Sequence, residues 1–223
     1  MESDEYIAKV NEPTEWVSSM VVSLRNDKLR ICRDPSHLNK VIKREHHPMC
    51  MVEEVVASIP DAKVFSMLDA KSGFLQIKLD EESSHLTCFN APFGWYRWLR
   101  LPFGLKCAPE IFQRIMDQMI ESIDGAFAII YDILVAGPNV ELHDQILKKV
   151  IERATNYNLK LNLQKCKIRQ SQVQYVGHIL SGDGLSSDPA KVEAVHSMPI
   201  PTDKEAVRCF VGFITFLSKF IPR

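Results

Sequence analysis

Two aspartates sit where an apolar pattern has no place for them. Asp69 closes the run Val64-Phe65-Ser66-Met67-Leu68, and Asp132 falls between Ile129-Ile130-Tyr131 and Ile133-Leu134-Val135. An ionised carboxylate in an apolar strand is costly unless it is hydrogen-bonded, paired or bound to metal. Taken singly, each reads most simply as a strand-end acid reaching solvent. Taken together, they suit a hard cation such as Mg²⁺, which takes carboxylates along with phosphate oxygens. Spacing alone leaves open whether the two strands are neighbours. Two basic stretches are the other candidates. One holds Arg25, Lys28, Arg30, Arg33, Lys40, Lys43 and Arg44; the other holds Lys148, Lys149, Arg153, Lys160, Lys165, Lys167 and Arg169. Local patches of this kind can hold a phosphate backbone even when net charge is near zero. Their plain alternative is a solvated face.

The elements that must position these residues alternate irregularly, which predicts an α+β chain rather than a βαβ series. Val21–Leu24 and Leu29–Cys32 read as strands around an Asn26-Asp27 turn. Met51, Val52, Val55, Val56 and Ile59 recur at helical spacing until Pro60. Val64–Leu68 is a strand running into Asp69, and Phe74–Leu79 alternates as a half-exposed strand would. A helix from Pro109 carries Phe112, Ile115, Met116, Met119, Ile120 and Ile123 on one face and ends at Asp124-Gly125. Phe127–Val135 is a strand pair interrupted by Tyr131-Asp132. A second amphipathic helix carries Leu142, Ile146, Leu147, Val150, Ile151 and Ala154. Val173–Leu180 is a hairpin arm closed by residues 181–184. One late helix opens at Asp188-Pro189. The last opens at Thr202 with Glu205 completing a capping box, and its stripe of Val207, Phe210, Val211, Ile214 and Leu217 reads as core.

Bulk properties narrow the class. The 223 residues are 46% hydrophobic, enough for a real core. Net charge of −1 does not announce a nucleic-acid binder. Cysteines at 32, 50, 88, 107, 166 and 209 show no CxxC spacing, so neither a zinc site nor a redox motif is suggested. The start, Met1-Glu2-Ser3-Asp4-Glu5, has neither the basic nor the apolar region of a signal peptide. No apolar run is long enough for a bilayer. The expectation is a soluble intracellular protein with no membrane partner.

From about Pro13 onward the chain resembles the reverse transcriptase of gypsy-type LTR retrotransposon Pol polyproteins. The matching segments are PTEWVSS at 13–19, KLRICRDPSHLNK at 28–40 and VFSMLDAKSGFLQIKL at 64–79. FNAPFGWYRWLRLPFGLKCAPEIFQRIM at 89–116, IIYDILVAG at 129–137, LKLNLQKCKIRQSQVQYVGHIL at 159–180 and KFIPR at 219–223 follow. Their number and order make the likeness specific; no single segment would.

The resemblance implies a right-hand polymerase fold with fingers, an antiparallel-sheet palm and the start of a thumb. Fingers would span about 1–44 and 77–107, palm about 45–76 and 108–182, and the start of the thumb or connection 183–223. The palm sheet would carry helices on one face and the site on its open face. It implies addition of dNTPs to a primer on an RNA or DNA template, with two Mg²⁺ ions assisting an in-line displacement. Asp69 would be the first metal-binding acid and Asp132 another. Lys28, Arg30, Phe74, Phe103, Gly104 and Lys165 would contact the nucleotide, Phe74 as the aromatic that rejects a ribose 2′-OH. Tyr175, Val176, Gly177 and His178 would grip the primer end. By the same likeness the chain is a fragment, with the RNase H and integrase of the parent polyprotein absent. Its setting would be the cytoplasm, in a virus-like particle, with possible nuclear access.

One departure bears on activity. The family has adjacent aspartates where this chain reads Tyr131-Asp132. Aligned on Ile133-Leu134-Val135, Tyr131 replaces the acid that shares both metals with Asp69. Tyrosine is neutral at pH 7 and a poor Mg²⁺ ligand. Sliding the strand by a residue to use Asp132 instead would turn every side chain to the other face. Arg33, Ser36, Trp95 and Cys107-Ala108 depart too, and the set reads as drift. The implied outcome is a weakened or silent polymerase; the alternative is a non-catalytic nucleic-acid-binding remnant.

Overall fold

The computed structural model describes the backbone of residues 1–25 and 28–220, and side chains outside 25–30 within that span. The expected turn at Asn26-Asp27, the side chains of Lys28 and Arg30, and residues 221–223 lie outside the described residues. In chain order, β1 (Ile7–Val10), β2 (Ser18–Arg25) and β3 (Lys28–Arg33) precede two short helices, α1 (Ser36–Val41) and α2 (Val52–Ala57). Then come β4 (Val64–Asp69), a 3₁₀ turn at Gly73–Gln76, α3 (Glu81–His85), β5 (Phe89–Ala91), β6 (Gly94–Trp98) and α4 (Ala108–Ile120). The hairpin β7 (Ala126–Ile129) and β8 (Asp132–Gly137) leads to α5 (Val140–Asn156). Four strands follow: β9 (Lys167–Gln170), β10 (Gln172–Tyr175), β11 (His178–Ser181) and β12 (Gly184–Ser187). The described chain closes with α6 (Pro189–His196) and α7 (Lys204–Leu217).

The strands form a five-stranded sheet β1-β6-β5-β2-β3, a four-stranded sheet β7-β8-β4-β9 and a three-stranded sheet β10-β11-β12. Among the described residues the β2–β5 contact alone is parallel. In the four-stranded sheet β4 and β8 are central, and both are near-continuous apolar runs because both of their faces are covered. On one face Leu68, Ile133 and Val135 pack with Phe112, Met116 and Met119 of α4 and Val150 and Ala154 of α5. On the other, Phe65, Met67, Leu134 and Ala136 meet Val55 of α2 and Val173, Tyr175 and Leu180 of β10 and β11. The expected open face therefore exists only at the Asp69–Asp132 end; a second core fills the rest. No helix among the described residues is long and apolar enough to cross a membrane.

Four expectations change. Phe74–Leu79 is not a strand: Ser72 turns left-handed at φ 53°, and the Leu75 and Ile77 amides donate to Ser72 and Phe74 carbonyls. Only Lys78 makes a bridge, to Arg100. The α4 helix stops at Ile120, where Glu121 turns extended, short of Asp124-Gly125. The last helix is capped by Asp203, not Thr202; the Asp203 carboxylate accepts from the amides of Glu205 and Ala206. An anionic cap beats a hydroxyl because the helix N-terminus is partly positive. The α7 stripe is not core: Val207, Phe210 and Val211 are exposed and only Leu217 is buried.

The buried Glu110 of α4 holds Arg44 through both Nε and Nη2. The guanidinium keeps its carboxyl below the ordinary glutamate range, against the opposing effect of burial. A depressed folded pKa stabilises above the unfolded pKa, and that stabilisation is lost as pH falls through the folded value. Arg44→Met is expected to remove this contribution. The urea midpoint of the parent should then fall more steeply than the variant's between about pH 5 and pH 3; parallel curves would discard the idea.

Candidate active site

Strand register builds the site. Side chains alternate along a strand, so Asp69 shares a face with Phe65 and Met67, and Asp132 with Leu134 and Ala136. Asp69 pairs with Asp132 directly across β4 and β8. The two carboxylates therefore emerge side by side. With Met67, Lys165, Lys167, Gln174, Val176 and Gly177 they line a cavity of about 250 Å³. Lys165 Nζ donates to Asp69 Oδ2 at 3.2 Å. Burial, then repulsion from Asp69, pushes the Asp132 carboxyl above the ordinary range, while Lys165 pulls it down. A cation between the two acids would offset that repulsion. Asp132 thus stands beside Asp69 in the observed register, with no slip of the strand.

Tyr131 falls on the opposite face. It and Ile130 form the β7–β8 loop, closed by the Ile129–Asp132 pair. Ile130 takes φ 53°, a conformation in which a β-branched residue is a genuine outlier. Its amide donates to Gln113 Oε1 at 2.7 Å, and the Tyr131 carbonyl accepts from Ala70 N–H at 2.9 Å. Those bonds hold the strained turn. The Tyr131 ring packs on Phe74 and Phe112 with centroids at 5.1 and 5.4 Å, and Phe103 covers Phe74 at 5.4 Å. It approaches so closely that a Cβ at Gly73 would run into the ring. Burial pushes the phenol up to about 12. Tyr131 therefore brings no anionic oxygen to the cavity. Among the described residues no three His, Cys, Asp or Glu side chains gather as a metal group. Two carboxylates fit Mg²⁺ completed by phosphate and water oxygens.

The remaining expected residues divide. Lys165, Val176 and Gly177 reach the cavity, while Phe74 and Phe103 form the neighbouring aromatic cluster. Gly104, at φ 94°, sits against Pro35, and its carbonyl accepts from Asn39 Nδ2. Tyr175 is buried in the second core and faces no ligand space, and burial raises its phenol strongly. His178 stacks on Phe216 of α7 at 4.8 Å. Burial, then Lys219 and Lys191, hold its imidazole below the ordinary histidine range. The backbones of Lys28 and Arg30 lie in β3, opposite Arg25 and Ser23. Sequence reasoning missed Met67 and Gln174, and saw Lys167 only as part of a basic stretch. Strand alternation from Asp69 back to Met67 was the available signal.

Residues 11–180 match the family profile described as reverse transcriptase (RNA-dependent DNA polymerase). The chain belongs to the reverse transcriptase family. It is 33% identical over 214 residues to the retrovirus-related Pol polyprotein from transposon 297 of Drosophila melanogaster, covering 95% of this chain and 20% of that protein. To the Pol polyprotein from transposon opus of the same organism it is 37% identical over 194 residues, covering 86% and 19%. To that from transposon gypsy, also of Drosophila melanogaster, it is 33% identical over 215 residues, covering 95% and 21%. This reverse transcriptase chain spans about a fifth of the length of these relatives. Among solved structures it is similar to foamy viral protease-reverse transcriptase in complex with double-stranded DNA. There the TM-score is 0.92 at 18% identity, covering 100% of this chain and 39% of that one. A second foamy viral structure, in complex with RNA/DNA hybrid, gives a TM-score of 0.84 at 18% identity, covering 95% and 28%. The fold is the right-hand polymerase fold, as the sequence resemblance implied.

Proposed function

We propose that this reverse transcriptase domain holds a primer–template beside the Asp69–Asp132 cavity but has lost most nucleotidyl transfer. The observation that carries the proposal is the placement of Tyr131. Its neutral ring is committed to Phe74 and Phe112, so the cavity holds two carboxylates with Lys165 on one of them. Nucleic-acid binding is supported by the family, by foamy viral relatives in complex with DNA and RNA/DNA hybrid, and by Lys165 and Lys167 at the cavity wall. Asp69 and Asp132 would hold Mg²⁺, which when bound offsets charge on phosphoryl oxygens. Lys165 would sit near the phosphates of an incoming dNTP. Phe74, Phe103 and Gly104 would lie towards its sugar, and the family resemblance offers Lys28 and Arg30 as further nucleotide contacts. Val176, Gly177 and His178 would border the primer end, with Tyr175 as the buried anchor of their turn. We assign fingers to about 1–44 and 77–107, palm to about 45–76 and 108–182, and the start of the thumb to 183–223.

The test is fluorescence anisotropy on a DNA-primed RNA template across a salt series, with extension assayed in the same tubes. The expected result is binding that weakens steeply, with a log–log slope of about −4 if some five phosphates are neutralised, and little or no added nucleotide. Efficient extension by the chain as it stands would refute the lost-transfer half. Binding that is absent or insensitive to salt would refute the other.

A further inference from the structure

A closed ring of polar side chains lies behind the cavity, where α5, β4 and β9 meet. Ser66 of β4 and His143 of α5 are fully buried, with Ser66 Oγ and His143 Nε2 2.9 Å apart. His143 Nδ1 lies 3.0 Å from Asp144 Oδ1. Asp144 in turn accepts from both Nε and Nη2 of Arg169 in β9. The Arg169 amide closes the ring on Ser66 Oγ at 3.0 Å. With the proton on Nδ1, every bond has a donor and an acceptor: Nδ1–H to Asp144, Ser66 O–H to Nε2, Arg169 N–H to Ser66. Gly137 lets α5 come this close, since a Cβ there would lie 2.8 Å from the His143 backbone.

The ring clamps an irregular piece of sheet. Phe65 pairs with Gln170 but Met67 with Lys167, so β9 carries an extra residue opposite β4. Such a bulge re-aims the side chains beyond it. Arg169 lies within it at φ 51°, strained for any residue with a side chain. A strand that lost the extra residue would turn Lys167 to the other face. As built, Lys167 faces the cavity beside Lys165, Asp69 and Asp132. Ser66 and His143 line no part of it, so they offer no reactive group to a substrate.

We propose that Ser66, His143, Asp144 and Arg169 are positioning residues, a clasp that fixes the β9 bulge and so aims Lys167 at phosphate groups entering the cavity. The inference rests on the proposed nucleic-acid role of that cavity. The experiment is the salt dependence of binding to a DNA-primed RNA template, a readout that fold stability alone does not move. Replacing Lys167 by Gln should reduce the magnitude of the log–log slope by about 1. Ser66→Ala should likewise reduce it by about 1, and Lys167→Gln should add nothing in that background. Asp144→Asn leaves the bond from the Arg169 amide to Ser66 in place and should give a smaller loss of slope. It becomes the deciding variant if Ser66→Ala does not fold. Folded clasp variants with the parental slope, alongside a Lys167→Gln variant that loses slope, would overturn the clasp and leave the nucleic-acid reading intact. A Lys165→Gln, Lys167→Gln double variant with the parental slope would overturn both.

Discussion

Tyr131→Asp is expected to raise primer extension by about a thousandfold or more. A carboxylate that contacts a catalytic metal supplies several kcal/mol of charge stabilisation, and about 1.4 kcal/mol corresponds to each factor of ten. An ionised aspartate cannot stay where the tyrosine ring lies, between Phe74 and Phe112, because that surface offers no compensating hydrogen bonds. It would turn towards the open end of the strand pair, where Asp69 and Asp132 already face one another. A second readout is independent of turnover. Mg²⁺ should raise the melting temperature of the Tyr131→Asp chain more than that of the parent, since a ligand that binds only the folded state stabilises it. Adding Asp69→Asn to Tyr131→Asp should abolish extension. The contrary result is extension by the parent chain that Asp69→Asn removes. It would mean that Asp132, already in register, completes the site unaided.

Phe112→Ala is expected to cost about 3–5 kcal/mol. Phe112 is 1% exposed and lies under the strand pair. Its ring meets Phe74 edge-on at 5.7 Å and Tyr131 at 5.4 Å. Truncation would leave a cavity beneath the loop that carries Tyr131 and beside the 3₁₀ turn that carries Phe74. Domains of this size are stable by only about 5–15 kcal/mol, so such a loss is a large fraction of the whole. At about 2–4 °C per kcal/mol, melting should drop by roughly 6–20 °C. Phe93→Ala is the matched control: that ring is 81% exposed, and surface changes stay within about 0.5 kcal/mol. Equal effects at both positions would mean that the aromatic cluster contributes less than its burial suggests.

The sequence by itself determined the local pieces and the family. The apolar runs ending in Asp69 and flanking Asp132 became β4, β7 and β8 because strand burial is written into consecutive residue types. The stripe of Phe112, Met116 and Met119 became α4 because helical spacing is too. The ordered segments carried the right-hand fold. Where local pattern misled, a longer-range bond or a missing neighbour was responsible. Phe74–Leu79 alternates like a strand, but Gln76 bonds to the backbone of Lys160, far along the chain, and Ser72 starts a tight turn. The α7 stripe has core spacing, but among the described residues little covers it.

Tertiary structure decided the chemistry. Register set Asp132 opposite Asp69 and sent Tyr131 to the helix-covered face; a one-residue difference in pairing would exchange them, and no local signal states the pairing. The bulge in β9 gave Lys167 its direction, and a buried serine and histidine from distant segments hold that bulge. Residue types near a strand end announce a candidate site. Which of them face one another depends on hydrogen bonds between strands separated by tens of residues, and those are fixed only when the sheet forms.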